Sequence, residues 1–134
     1  TVMLRIALDK ICEIVVKAKA LAAKVDVVEP DYGSNPVDED MREVLEDYSD
    51  DATYEEITQF MDALNEDEQI DLVALAWVGR DDFSMAEWDD AVAEARRAHD
   101  EYESISTAEY LLGMPLLAEY LEVGLSKNNL SCDW

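Results

Sequence analysis

Positive charge is scarce in this chain. It has 10 lysine and arginine residues against 33 aspartate and glutamate residues, which gives a formal net charge of −23. Proteins bind nucleic acids and anionic membranes through cationic groups that displace counterions. This charge balance therefore disfavours direct binding to either. It favours cations and basic protein surfaces instead.

Cysteine and long apolar runs are also scarce. Cys12 and Cys132 are too few for the disulfide framework of a small secreted protein, and we expect both thiols to be reduced. Arg5 and Lys10 interrupt the first apolar stretch, so we expect no signal peptide. The longest uncharged runs, such as 72–79, are far shorter than the ~18 residues of a membrane helix. We therefore expect a cytoplasmic protein that contacts no membrane.

Neither histidine nor glycine forms a catalytic or cofactor signature. His99 is the only histidine, and the Glu-x-x-His metal motif is absent because position 96 is Arg96. His99 falls on an apolar helical stripe between Ala95 and Tyr102, which is typical of a hydrogen-bonded core histidine. No phosphate-binding glycine loop and no Gly-x-Ser-x-Gly motif occurs. We predict no catalytic residue, no metal ligand and no cofactor.

The chain does contain enough apolar material for a folded core. Hydrophobic residues make up 49% of its 134 residues, a length typical of one domain. Apolar positions recur at helical spacing, and alternation occurs only at 2–8. Residues 70–78 are almost all apolar, which predicts a central helix. We predict an all-α fold: a single compact bundle of six or seven short helices over 1–134, with a long loop at 26–38 and a short C-terminal tail at 127–134.

Helix boundaries are marked by capping residues. Thr53, Asn65, Ser84 and Ser106 each precede a glutamate by three residues, the spacing of a capping box. We therefore predict that a helix begins at each of them. Gly79 follows the central apolar run and predicts its end, because glycine often stops a helix.

Negative charge is concentrated in residues 26–71, which hold 18 acidic residues and one base, Arg42. The acidic clusters lack the central glycine of a calcium-binding EF-hand loop, and a solvated acidic surface explains them without a metal. Our first hypothesis is a non-enzymatic interaction protein that binds a basic partner surface, including the possibility of nucleic-acid mimicry. The acidic residues predicted to contact that partner are Glu39, Asp40, Glu43 and Asp47.

An aromatic cluster surrounds a basic residue near the end of the central helix. Trp77, Phe83 and Trp88 flank Arg80. One interpretation is a docking site in which Phe83 contacts the partner and Arg80 binds an anion. The other is a tight turn between helices, with the aromatic rings in the core and Arg80 paired with nearby acids.

Two hypotheses from other functional classes stay open. The first is a carboxylate-based protein that binds divalent metal ions, which the density of acidic residues suggests. The second is an enzyme of unrecognised type. The sequence does not determine an oligomeric state.

Two motifs resemble a known family. The first is the run 63–77 with Gly79-Arg80, Asp82-Phe83 and Trp88, and the second is the run 109–117 with Tyr120-Leu121. Together they are similar to a domain-of-unknown-function family of short, acidic, helical bacterial proteins. The resemblance implies a single bacterial domain, and it transfers no catalytic residue.

Overall fold

The computed structural model describes residues 1–24, 51–102 and 104–132. Within these ranges the chain is mostly helical and contains no strand, so the predicted all-α fold is confirmed. The predicted loop at 26–38 lies outside the described residues. The helices are α1 (Leu8–Lys24), α2 (Ala52–Asp62), α3 (Glu66–Gly79), α4 (Trp88–Glu101), α5 (Thr107–Leu112) and α6 (Leu117–Lys127), and a single 3-10 turn at Met85–Glu87 precedes α4.

Helix α3 lies at the centre of the bundle. Every residue from Ile70 to Gly79 is buried, which confirms the prediction for the apolar run 70–78. Helices α4, α5 and α6 all pack against α3, while α1 contacts α2 and α6. A helix that is apolar on all sides is stable in water only when other elements surround it. The composition of α3 therefore dictates its central position.

Side-chain caps fix where the helices begin, with one change from prediction. Asn65 Oδ1 accepts a hydrogen bond from the Glu68 N–H at 2.8 Å, and Glu68 Oε1 accepts one from the Asn65 N–H at 2.9 Å. Ser106 caps α5 as predicted. Helix α2 is instead capped by Asp51, which accepts from the Thr53 N–H at 2.8 Å. A carboxylate is the stronger acceptor at the positive end of a helix, so the cap moves from Thr53 to Asp51.

Gly79 is required by packing and not by backbone conformation. The left-handed residue after α3 is Asp81, with φ 75°. A Cβ atom on Gly79 would lie 1.7 Å from the carbonyl oxygen of Tyr120 in α6. Gly124 of α6 makes the reciprocal approach, since a Cβ there would lie 2.6 Å from the carbonyl oxygen of Leu75. The two glycines allow the backbones of α3 and α6 to come into contact.

The two ends of the described chain are joined by a disulfide and by hydrogen bonds. Cys12 in α1 is bonded to Cys132, with the Cα atoms 5.7 Å apart, so the prediction of two reduced thiols is wrong. The Val2 N–H donates to Asn128 Oδ1 at 2.7 Å, and Asn128 Nδ2 donates to the Val2 carbonyl at 3.0 Å. These contacts anchor part of the segment 127–134 that the sequence predicts to be a tail.

One carboxylate is buried in the described core. Asp71 of α3 has an exposed fraction of 1% and accepts hydrogen bonds from the Arg5 N–H at 2.7 Å and from Arg5 Nη2 at 2.6 Å. These interactions raise the pKa of Arg5. A buried charge is tolerated when it is both paired and hydrogen-bonded. The pair therefore fixes the segment that precedes α1 onto the central helix.

The lysines of α1 form ion pairs with acidic residues, and all of these pairs except Lys17–Glu13 join α1 to another part of the chain. Exposed pairs of this kind each contribute at most about 1 kcal/mol to stability. They therefore help to orient α1 but contribute little to the stability of the fold. The pairs are Lys10–Glu68 at 2.8 Å, Lys17–Glu56 at 2.8 Å, Lys17–Glu13 at 3.0 Å, Lys19–Glu122 at 3.1 Å and Lys24–Asp51 at 3.0 Å.

We expect the substitution Glu68→Gln to lower stability at neutral pH and to have little effect in acid. Hydrogen bonds from Lys10 and from the Asn65 N–H hold the pKa of Glu68 below its ordinary value of 4.5. A carboxylate with a lowered folded-state pKa contributes stability above its unfolded pKa and loses it as the pH falls through the folded value. Glutamine keeps an oxygen that can accept from Asn65, so the difference isolates the charge pair with Lys10.

The measurement is urea unfolding of both proteins at about pH 7 and about pH 3. The expected difference in the free energy of unfolding is about 1 kcal/mol at the higher pH. It should become smaller at the lower pH, because the stability that a lowered carboxylate pKa contributes is lost as the pH falls. An equal difference at the two pH values would contradict this assignment.

Candidate functional site

A groove of about 920 Å³ lies between α3, α4 and α5. Its floor is apolar and its walls carry aromatic rings, which is the usual character of a ligand-binding cleft. This volume is large enough for a small organic ligand or for several side chains of a partner protein. The larger apolar and aromatic lining residues are Ile70, Val73, Trp77, Phe83, Tyr102, Ile105, Tyr110 and Met114.

An aromatic network holds one wall of the groove in place. Trp77 and Phe83 are stacked, with ring centroids 6.0 Å apart and an interplanar angle of 28°. The Trp77 indole N–H donates to the Tyr110 hydroxyl at 3.0 Å, which links α3 to α5. Trp88, the third aromatic residue of the predicted cluster, is buried in the core. The cluster therefore divides between core and groove, with Phe83 only partly buried.

Gln69 of α3 lines the groove and connects α3 to the end of α2 and to α5. Gln69 donates through Nε2 to the carbonyl oxygens of Met61 and Leu64, each at 3.2 Å. Its Oε1 accepts a hydrogen bond from the Thr107 hydroxyl at 3.3 Å. These polar groups are hydrogen-bonded within the protein, so they shape the groove. The aromatic rings and the charged rim are the groups that remain available to contact a ligand.

The charged residues at the rim are predominantly acidic. Arg80 donates through Nε to Asp82 at 2.7 Å, so its positive charge is neutralised within the site. This pairing is the one expected for a turn between helices, and it weakens the role of Arg80 as an anion contact. Asp62 and Glu94 also line the groove. Glu94 forms an ion pair with Arg97, whereas Asp62 forms no ion pair among the described residues.

Two of the six residues predicted to bind a partner, Arg80 and Phe83, line this groove. The other four, Glu39, Asp40, Glu43 and Asp47, lie outside the described residues. Sequence analysis missed Tyr102 and Tyr110, which are exposed aromatic residues of the groove. Helical periodicity placed Tyr102 on an apolar stripe and so suggested burial.

His99 lies at the edge of the groove beside two carboxylates. The possible ligand atoms of Glu66, His99 and Asp100 all lie within 4.8 Å of one another. His99 Nδ1 is 3.8 Å from Asp100 Oδ1, which is too long for a hydrogen bond. This nitrogen is buried and has no hydrogen-bond partner in the part of the chain that the structure describes. The predicted hydrogen-bonded core histidine is therefore not observed.

Comparison with known proteins identifies a family and no activity. Neither the curated proteins nor the solved structures provide a significant match to this chain. A family model matches residues 54–130, which is more than half of the chain and includes α3 to α6 with the groove. The match confirms the resemblance of the motifs at 63–77 and 109–117 to a family without an assigned function. The chain belongs to the family described as Protein of unknown function (DUF3775).

Proposed function

We propose that this protein is a non-enzymatic interaction protein that binds a basic, amphipathic segment of a partner protein in the groove between α3, α4 and α5. The observation that supports the proposal is an aromatic-lined apolar groove with a mostly acidic rim. The net charge of −23 reinforces it.

Exposed aromatic surface distinguishes this groove from ordinary surface. Tyr102 has an exposed fraction of 60%, and Tyr110 is also exposed. Tyrosine is enriched in binding sites because its rigid ring buries a large area while its hydroxyl stays hydrated. A helix with apolar residues on one face would place them between these rings, as in other helix-in-groove complexes.

Charge selects the kind of segment that binds. The groove lining contains Asp62, Asp82 and Glu94 but only one permanently charged base, Arg80, which Asp82 already pairs. Lysine or arginine on the flanks of a bound helix would approach the rim carboxylates. Such contacts mainly accelerate association, and they weaken as salt screens them. By the same argument we propose no direct binding of nucleic acid or anionic membrane, while mimicry of nucleic acid toward a basic partner is a form of this proposal.

The test uses a labelled synthetic peptide with leucine on one helical face and lysine on the other. Fluorescence anisotropy should show saturable binding that weakens with salt. The same peptide with glutamate in place of lysine should not bind. The substitutions Phe83→Ala and Tyr102→Ala should each weaken binding about tenfold, equivalent to ~1.4 kcal/mol. Met3→Ala removes an exposed apolar side chain that does not line the groove, and it should bind like the wild type.

A charge-reversal variant distinguishes binding in the groove from attraction by the overall negative charge of the protein. Reversing Glu39, Asp40, Glu43 and Asp47 to lysine should slow association, because these residues carry part of the acidic charge that attracts the peptide. If this variant weakens binding and the groove variants do not, the partner is attracted by charge alone and the groove is not its site.

As a separate point, we propose that the protein is cytoplasmic. Composition favours the cytoplasm, and none of the described helices has the length and apolarity to cross a membrane. The disulfide between Cys12 and Cys132 argues against a reducing compartment. Alkylation of thiols in intact cells followed by mass spectrometry tests this: modified cysteines would show reduced thiols, as expected for a cytoplasmic protein, and unmodified cysteines would show the disulfide.

A further inference from the structure

We propose that Glu66, His99 and Asp100 bind a divalent transition-metal ion of the Zn²⁺ type at the edge of the groove. His99 and Asp100 lie in the last turn of α4, and Glu66 lies in the first turn of α3. Their ligand atoms lie within 4.8 Å of one another. The packing of α3 against α4 thus brings one imidazole and two carboxylates to a single point.

The spacing is close to that of a coordination sphere. Zn²⁺ binds histidine nitrogen and carboxylate oxygen at about 2.0–2.2 Å, so ligand atoms around one ion lie about 3–4 Å apart. The observed spacing needs a contraction of less than about 1–2 Å by this estimate. The carboxylates of Glu66 and Asp100 are exposed and can rotate toward the histidine without disturbing the core.

The histidine supplies an observation that exposed acidic clusters lack. The His99 side chain is 31% exposed, but its Nδ1 atom is shielded from solvent and has no hydrogen-bond partner among the described residues. A buried polar atom without a partner is unfavourable, and a bound cation would satisfy it. One nitrogen with two oxygen ligands suits Zn²⁺, Co²⁺, Ni²⁺ or Mn²⁺ better than Ca²⁺ or Mg²⁺, which prefer oxygen alone.

Some neighbouring groups favour the binding of a cation at this site, and one opposes it. His99 and Asp100 are close to the C-terminal end of α4, where the helix dipole favours positive charge. Arg96 opposes it, because its Nη1 lies 3.8 Å from Glu66 Oε2. An incoming ion would therefore have to displace this weak pair. Three protein ligands leave at least one coordination position for water or for a group on a bound partner.

The experiment uses untagged, oxidised protein and follows the imidazole protons of His99 by NMR. His99 is the only histidine, so its signals report on this site alone, and the disulfide removes both thiols as competing ligands. We expect Zn²⁺ to shift these signals with one-to-one stoichiometry. Ca²⁺ at the same concentration should leave them almost unchanged.

Variants assign the ligands. By calorimetry, His99→Gln and Glu66→Gln should each weaken Zn²⁺ binding at least tenfold, while Glu119→Gln, at an exposed acid on α6, should not. Arg96→Gln should strengthen binding, because it removes the competing cation. Circular dichroism shows whether each variant stays folded. If His99→Gln binds Zn²⁺ like the wild type, or if the His99 signals do not respond, the ion binds to the general acidic surface and the proposed site is wrong.

Discussion

Reduction of the disulfide between Cys12 and Cys132 is expected to destabilise the folded chain by up to about 5 kcal/mol. The two cysteines are separated by 120 residues in sequence, so the bond closes almost the whole chain into one loop. In the chain-entropy account, such a cross-link restricts the unfolded ensemble most strongly when the loop is long. The effect is therefore expected to be among the largest that any single bond of this protein contributes.

The contacts around the disulfide predict how the reduced protein behaves. Asn128 still holds Val2 through two hydrogen bonds, and the α1–α6 contact does not depend on sulfur. We expect the reduced protein to keep its helical circular dichroism spectrum at low temperature and to melt at a clearly lower temperature. This outcome would separate a bond that stabilises the fold from one that is required for its formation.

The measurement is a thermal melt with and without a thiol reductant, together with the double substitution Cys12→Ser and Cys132→Ser. The serine variant should melt like the reduced wild type, and the reductant should not change it further. An unchanged melting temperature on complete reduction, verified by counting free thiols, would contradict the prediction.

Local signals in the sequence account for much of the fold. The Asn65–Glu68 capping box and the apolar run 70–78 each involve residues within a few turns of one another, and both are found as predicted. The sequence predicts that α3 ends at Gly79, as observed, but it does not reveal why a glycine is required there. The reason is that the contact with Tyr120 joins two helices, and no pattern within one helix reveals it.

The candidate site likewise combines features that are local in sequence with features that depend on the packing of helices. The sequence predicts an aromatic cluster around Arg80 because Phe83 and Arg80 follow Trp77 closely, and both residues line the groove. No pattern in the sequence places the carboxylate of Glu66 beside His99, since the packing of α3 on α4 brings the two side chains together. The disulfide is the extreme case, because Cys12 and Cys132 are 120 residues apart in sequence and their pairing depends on the whole bundle.

The substitution Gly79→Ala should destabilise the protein by about 3 kcal/mol, the upper end of the usual range for overpacking. In an exposed helix, alanine is favoured over glycine by about 1 kcal/mol, so the local helix preference predicts the opposite sign. Packing decides the outcome, because the new methyl group would lie 1.7 Å from the carbonyl oxygen of Tyr120. A backbone atom within α6 cannot move aside as a side chain can, so α3 and α6 must separate.

A second glycine in the same contact provides a graded comparison. A Cβ on Gly124 would lie 2.6 Å from the carbonyl oxygen of Leu75, a less severe overlap, so Gly124→Ala should cost less than Gly79→Ala. Ala93→Ser adds one heavy atom at an exposed position of α4, and it should change stability by no more than about 0.5 kcal/mol. Urea unfolding of the three variants gives the order directly. If Gly79→Ala proves as stable as Ala93→Ser, α3 and α6 do not approach as closely as the structure shows, and the wall of the groove that carries Trp77 would have to be placed differently.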